Sequence, residues 1–372
     1  TASGFAACGK LFSSLFGMNY MTAMIISAVV IVAYTTAGGF FAASATDFVQ
    51  SIIMTVAIVF VLVFSTISAG GIDAVVENAK ALPGYLSLTA SYIEDTGKSE
   101  PYNLLHIITT LSWGLGYFGM PHILLRFMAI EDEKKLKLSR RVASVWVVIA
   151  MAMAVLIGIV GRALSNTGLV DQLHGNDTET IIVRVAHLLS TYGAFPAIMA
   201  GLILAGILAS TMSTADSQLL AAASSVSENI LREAFHLKIS EKKSMLAARL
   251  TVIGIAILGI IIARNPDSSV FGIVSFAWAG FGAAFGPLVI CSLFWKRTTL
   301  PGAIVGMVSG GAMVFIWKYL IKPIGGVFGI YELLPAFLVG LVLMVIVSLC
   351  TKAPSKEITD EFDRVKAMGK AK

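Results

Sequence analysis

The stretch GILASTMSTADSQLL, residues 206–220, decides how this chain is read. Eight of its fifteen positions are Gly, Ala, Met, Ile or Leu, yet Ser210, Thr211, Ser213, Thr214, Asp216, Ser217 and Gln218 crowd its second half. On an α-helix at about 100° per residue, Ser210, Ser213, Thr214 and Ser217 fall at i, i+3, i+4 and i+7 and form one stripe. Asp216 flanks that stripe beside Ser213. Helix hydroxyls often bond their own i−4 carbonyls and let helices pack closely, and for one or two residues that reading suffices. A whole stripe with a carboxylate, costly in a membrane helix, instead suggests oxygen ligands for a hard, dehydrated cation.

The rest of the chain places that helix in lipid. Of 372 residues, 57% are hydrophobic and 13% charged, against about 25% charged in an ordinary soluble domain. Apolar runs such as 145–160 and 252–263 recur throughout. These features predict an all-α polytopic membrane protein. Nine stretches are long enough to span, at 20–37, 47–69, 103–129, 141–163, 195–223, 244–263, 270–295, 301–320 and 331–350. Two more, 72–81 and 178–189, read as interfacial or peripheral helices. The chain starts at Thr1 without a signal-peptide pattern, so the expectation is of a piece lacking its N-terminal helices.

The formal net charge of +5 points to orientation rather than nucleic acid, because Lys and Arg gather in short loops. EDEKKLKLSRR (131–141), Arg232 with Lys238, Lys242 and Lys243, Lys296 with Arg297, and the tail after the ninth stretch fall on one side. The positive-inside rule makes that side cytoplasmic, with the C-terminus inside. Cys8, Cys291 and Cys350 lack metal or disulfide spacing, the five histidines form no ligand pair, and no GxxxxGK[ST] loop is present. GxxxG-type spacings such as Gly302 to Gly306 suit close helix packing.

Three further features bear on function. Asp47, in SATDFVQS, reads on local sequence as a helix N-cap or first-turn charge. In WGLGYFGMPHILLRF (113–127), Trp113, Tyr117 and Pro121 recur at i, i+4 and i+8 with glycines between them. This spacing fits either a proline-kinked helix packed with aromatics or a broken helix lining a cavity. FAWAGFGAAFGP (276–287) reads as a close-packing surface.

Together, the segments YTTAGGFFAASATDFVQS, WGLGYFGMPHILLRFMA, GILASTMSTADSQLLAAASSVSENI and FAWAGFGAAFGPLVICSLFW resemble the sodium:solute symporter family, and most of all its bacterial sodium/proline symporters. The resemblance implies a leucine-transporter-like core of two inverted repeats. Residues 20–69 would end the first repeat, 103–295 form the second, 301–350 add helices, and 351–372 form a cytoplasmic tail. All would belong to one transmembrane transporter domain over 1–372.

The resemblance also implies a sodium site from Ser210, Ser213 and Thr214, completed by a helix preceding this chain. A second sodium site would take Asp47, Asp216 and Ser217, although the proline symporters carry a serine-type residue where Asp216 stands. Trp113, Tyr117 and Pro121 match the family's substrate-binding positions, while Met120 replaces a usual glutamine.

The expected function is therefore sodium-coupled import of a small amino acid, L-proline first, across the plasma (inner) membrane, without enzymatic activity. Na⁺ is the co-transported ion, and no organic cofactor or nucleic-acid partner is expected. Other organic solutes, and a membrane sensor domain, are the alternatives. The piece alone is expected not to transport.

Overall fold

The structure, a computed structural model, describes residues 1–94, 96–237 and 240–370, leaving aside the side chains of 40–42, 369 and 370. Lys238, one of the loop cations counted above, lies outside the described residues, as do the last two residues of the tail. The chain opens with α1 (Ala2–Phe16), α2 (Tyr20–Ser68) and α3 (Ile72–Lys80), then a hairpin of β1 (Ala90–Ile93) and β2 (Lys98–Pro101). Next come α4 (Leu104–Leu111), α5 (Pro121–Met128), α6 (Leu136–Asn166), α7 (Ile181–Ser190) and α8 (Ala194–Ser224). The last helices are α9 (Glu241–Ile262), α10 (Val270–Phe294), α11 (Leu300–Ile316), α12 (Leu333–Cys350) and α13 (Lys356–Lys370).

Among the described residues, eight helices are long and apolar enough to cross a membrane, one fewer than the nine stretches expected. The missing one is 103–129, which is not a continuous helix. There α4 gives way to a 3₁₀ helix over Ser112–Gly119, and α5 starts at Pro121. Glycines weaken this segment and Pro121 has no N–H to continue an α-helical ladder, so of the two readings the broken helix is the one observed. The first two expected spans form the single element α2, interrupted at Gly39 (φ 63°, ψ −170°). That backbone region is essentially open only to glycine, and it separates Tyr20–Gly39 from Ala43–Ser68. The two peripheral stretches become α3, and a 3₁₀ turn over Gly175–Thr180 leading into α7.

The chain divides into two compact units. The first comprises Thr1–Leu86, Tyr92–Ser99 and Ile130–Ile273. Its core gathers Val61, Ile157, Leu164, Val185 and Ile203 in one cluster, and Phe5, Met24, Ile31 and Leu219 in another. Helices α2 and α8 touch through small residues, since a Cβ on Gly206 would come within 2.6 Å of the Ala57 Cβ. The second unit comprises Ser87–Ser91, Glu100–Ala129 and Val274–Lys372. The spacing at Gly302 and Gly306 does pack helices: Cβ atoms there would lie 2.0 Å from the Ser348 Oγ and 2.6 Å from the Met344 Cε, both on α12. One turn on, a Cβ on Gly310 would meet the Ala283 carbonyl of α10 at 2.2 Å. Lipid gives no hydrophobic drive for helices to associate, so such close contact supplies much of the cohesion.

In the first unit, Glu179 ties three elements together. Its carboxylate accepts from Lys10 Nζ at 2.8 Å, Ser269 Oγ at 2.8 Å, and the Val270 and Phe271 N–H groups at 3.1 and 3.2 Å. It thus satisfies donors at the start of α10 that have no partner within the helix. Burial raises its pKa, but these four donors outweigh burial and hold it below the ordinary glutamate value.

Two outcomes are expected. Gly310→Val should lower the melting point in detergent through overpacking of about 1–3 kcal/mol, while Gly311→Ala, whose Cβ would meet only Ala284 at 3.8 Å, should leave it near the parent's. For Glu179, a lowered folded pKa means a contribution present above the unfolded pKa and lost as pH falls through the folded one. Glu179→Gln should therefore melt below the parent at pH 7, and the gap should close on acidification. A pH-independent gap would rule out the charge as its source.

Candidate functional site

In the first unit, the hydroxyl stripe lies in mid-α8, and two of its hydroxyls converge on one carbonyl. Ser213 Oγ and Thr214 Oγ1 both donate to the Ser210 oxygen at 3.2 Å, and Ser217 Oγ donates to the Ser213 oxygen at 2.9 Å. This is the back-bonding geometry of helix hydroxyls. It also turns the protons inward and leaves hydroxyl lone pairs directed away from the helix. Ser210 and Thr214 are exposed, Ser213 and Ser217 half-buried. Among the described residues, no group of three His, Cys, Asp or Glu forms a metal cluster. Any cation held here would be met by hydroxyl and carbonyl oxygens, the ligands of hard ions.

Asp216, which flanks the stripe, is fully buried. Tyr34 donates to its Oδ2 at 3.0 Å, and Ser217 Oγ lies 3.4 Å from its Oδ1. The Tyr34 hydroxyl also shares a hydrogen bond with Thr46 Oγ1. Tyr34 precedes the break at Gly39, while Thr46 and Asp47 follow it, so the two halves of α2 meet at the Tyr34 hydroxyl that reaches Asp216. The Tyr34 phenol thus bridges Asp216 of α8 and Thr46, the residue before Asp47. Tyr34 and Thr46 were not singled out by sequence. They lie inside the quoted segment 34–51, but helical periodicity cannot pair residues twelve apart across a break.

The second unit holds Trp113, Tyr117 and Pro121, whose i, i+4, i+8 recurrence would share one face of an α-helix but does not do so here. In a 3₁₀ helix, with three residues per turn, i and i+4 do not share a face. Trp113 and Tyr117 meet instead on Trp278 of α10. Trp113 stacks on it at 5.4 Å with the planes 12° apart, and Tyr117 meets it edge-on at 4.7 Å and 85°. Trp278 Nε1–H donates to the Trp113 carbonyl at 3.0 Å, occupying an acceptor at the interruption. Glycines permit this approach: a Cβ on Gly116 would lie 1.9 Å from Trp278 Nε1, and one on Gly119 2.3 Å from the Phe281 carbonyl. The packing role read for FAWAGFGAAFGP is thus observed. Pro121 begins α5, and Met120 before it is 3% exposed in extended backbone. Trp278 and Tyr331, which stacks on Trp113 at 5.8 Å, were not singled out by sequence.

Comparison with known proteins follows from this architecture. The model of the sodium:solute symporter family matches residues 1–310. Sodium/proline symporter 2 of Staphylococcus saprophyticus is 39% identical over 100% of this chain and 70% of its own length. The high-affinity proline transporter PutP of Bacillus subtilis is 39% identical over 97% of this chain and 72% of its own. A solved Na⁺-coupled sialic acid symporter, in a substrate-bound outward-open state, superposes with a TM-score of 0.73 at 18% identity, covering 95% of this chain and 71% of that one. The fold is thus that of a multi-pass helical membrane transporter of leucine-transporter-like architecture. The chain belongs to the sodium:solute symporter family.

Tyr34→Phe removes the donor to a buried carboxylate, and lost hydrogen bonds to charged groups cost about 1.5–3 kcal/mol. It should lower the melting point, and the loss should be smaller in Tyr34→Phe/Asp216→Asn than the sum of the single variants. Strict additivity in that cycle would show that the two groups do not interact.

Proposed function

We propose that this protein is a sodium-coupled secondary transporter importing a small amino acid, L-proline first. The observation that carries the reading is the convergence of Ser213 and Thr214 on the Ser210 carbonyl in an apolar helix. A bound sodium ion would take these oxygens, with the hydroxyl protons directed away from it and the Ser210 carbonyl exchanging a hydroxyl for the ion. Membership of the family and the proline-transporting relatives support the same conclusion. Asp47, Asp216 and Ser217 form a second cation locus, at which Tyr34 already supplies a donor to Asp216. Trp113, Tyr117 and Pro121 receive the substrate, an aromatic site suited to a small ring with one polar end. In this scheme 20–69 closes the first repeat, 103–295 is the second, and 301–350 adds helices. The protein resides in the plasma (inner) membrane with its tail, 351–372, in the cytoplasm, and performs transport rather than catalysis.

The energetics are those of linkage. Ion and substrate that both favour one arrangement couple by about 1–3 kcal/mol, and the membrane potential adds about 2.3 kcal/mol per charge per 100 mV to inward sodium movement. A different organic solute is the second reading. It is favoured by Met120, a buried apolar side chain immediately before Pro121 where the resemblance expects an amide.

The test is uptake of labelled proline into proteoliposomes holding the full-length protein, with and without an inward sodium gradient. Sodium-stimulated accumulation is expected. Thr214→Ala should raise the half-saturating sodium concentration about tenfold or more, the loss of one oxygen on a charged partner. Proline uptake with unchanged sodium dependence in Thr214→Ala would remove the stripe from the mechanism. Sodium binding without proline movement would move the substrate assignment to another solute.

A further inference from the structure

Trp113 stacks on two aromatic neighbours. Trp278 lies at 5.4 Å and Tyr331 at 5.8 Å, with ring planes 12° and 18° from the indole. Near-parallel rings at these centroid separations are offset, so each overlaps part of the indole and together they fix its plane. Its orientation is therefore set by its two neighbours rather than by its own backbone, which here is a 3₁₀ helix. Trp278 is part of α10, but Tyr331 lies outside any helix, just before α12.

Tyr331 is nevertheless fixed at two points. Its hydroxyl donates to the Ser275 carbonyl at 2.6 Å, and burial, followed by the neighbouring Glu332, raises its pKa so that the donor proton is retained. Glu332 is 2% exposed, unusual for a carboxylate unless it is paired. Lys322 Nζ reaches its Oε2 at 2.9 Å, and Lys318 Nζ lies 3.9 Å from its Oε1. Lys318 also sits 3.9 Å above the Phe276 ring, next in sequence to the Ser275 that anchors Tyr331. An acid buried beneath two partly exposed lysines is costly to disturb, because removing the lysines leaves a buried carboxylate without its partner. This ion cluster has no part in either candidate site as read above.

We propose that Tyr331 is a positioning residue for substrate recognition, clamping the Trp113 indole against Trp278, with the Glu332–Lys318–Lys322 cluster clamping Tyr331. The inference rests on the reading of Trp113 as a substrate contact. It assigns the segment between α11 and α12 a task in affinity rather than in sodium coupling.

The experiment uses the full-length protein and two independent readouts. Near-ultraviolet circular dichroism, taken without substrate, reports the ordered stack of Trp113 on Trp278, and Trp113→Phe identifies its share of the signal. Uptake in proteoliposomes gives the half-saturating concentrations of proline and of sodium. Tyr331→Ala should diminish the Trp113 signal and raise the half-saturating proline concentration roughly three- to tenfold, the scale of one aromatic pair. The sodium value should stay within about twofold of the parent's, the additive outcome expected of groups that share no partner. Tyr331→Phe, which keeps the ring, should restore most of the proline affinity, and Tyr331→Trp serves if the alanine variant does not fold. Glu332→Gln should shift proline affinity in the same direction as Tyr331→Ala.

An unmoved dichroism signal in Tyr331→Ala overturns the positioning whatever solute is carried. A reduced maximal rate with unchanged half-saturation overturns it too, since that marks a structural role only. Absence of sodium-driven proline uptake in the parent overturns the substrate reading instead, and the dichroism then decides the stacking by itself.

Discussion

Hydrocarbon offers no hydrogen bonds, so a helix that is interrupted within it must find other partners for its backbone and a reason to tolerate the break. Among the described residues, two interruptions bear on the candidate sites. One is Gly39 in α2, at φ and ψ values closed to other residues; the other is the 3₁₀ segment between α4 and α5. The Tyr34–Asp216 locus and the aromatic site are built at these places, while the hydroxyl stripe lies in the unbroken middle of α8. Tyr34, Thr46 and Asp47 flank the first, and Trp113, Tyr117 and Pro121 constitute the second. Broken helices in membranes line polar cavities for this reason: the freed groups are costly unless they serve a ligand or a neighbouring chain segment.

What makes the breaks affordable is close packing of small residues around them. Gly116 and Gly282 bring the 3₁₀ segment against α10, where the Trp278 indole N–H takes up the Trp113 carbonyl. In the first unit, Gly206 of α8 lies against Ala57 of α2, which keeps α8 close to the second half of that broken helix. Any side chain at these glycines would push the helices apart by more than a hydrogen bond's tolerance. Local weakness in one element is thus compensated by unusually tight contact with its neighbour.

The polar groups divide by surroundings. The stripe at Ser210, Ser213 and Thr214 has neutral oxygens and an open face, whereas Asp216, three residues along from Ser213, is fully buried and already engaged by Tyr34. A neutral oxygen set can gain and lose a monovalent ion with little reorganisation, while a buried carboxylate changes partners only at the cost of another donor. The same contrast holds between the aromatic cluster and the ion-paired Glu332 beside it.

The amino-acid order alone determined the membrane class, the position of most spans, the hydroxyl stripe and the helix-packing glycines. Each of these rests on local periodicity or on composition, which one helix expresses by itself. The resemblance carried in segments 34–51, 113–129, 206–230 and 276–295 agreed with the family shown by comparison. Three matters were decided only by tertiary structure. The α-helical stripe expected for Trp113 and Tyr117 gave way to a 3₁₀ turn, because packing on Trp278 outweighed the local helix period. Tyr34 became the partner of Asp216, 182 positions away. Tyr331, in a segment with no periodic signal, came to cover Trp113. Contacts of that kind arise from how helices meet, and no spacing within a single helix encodes them.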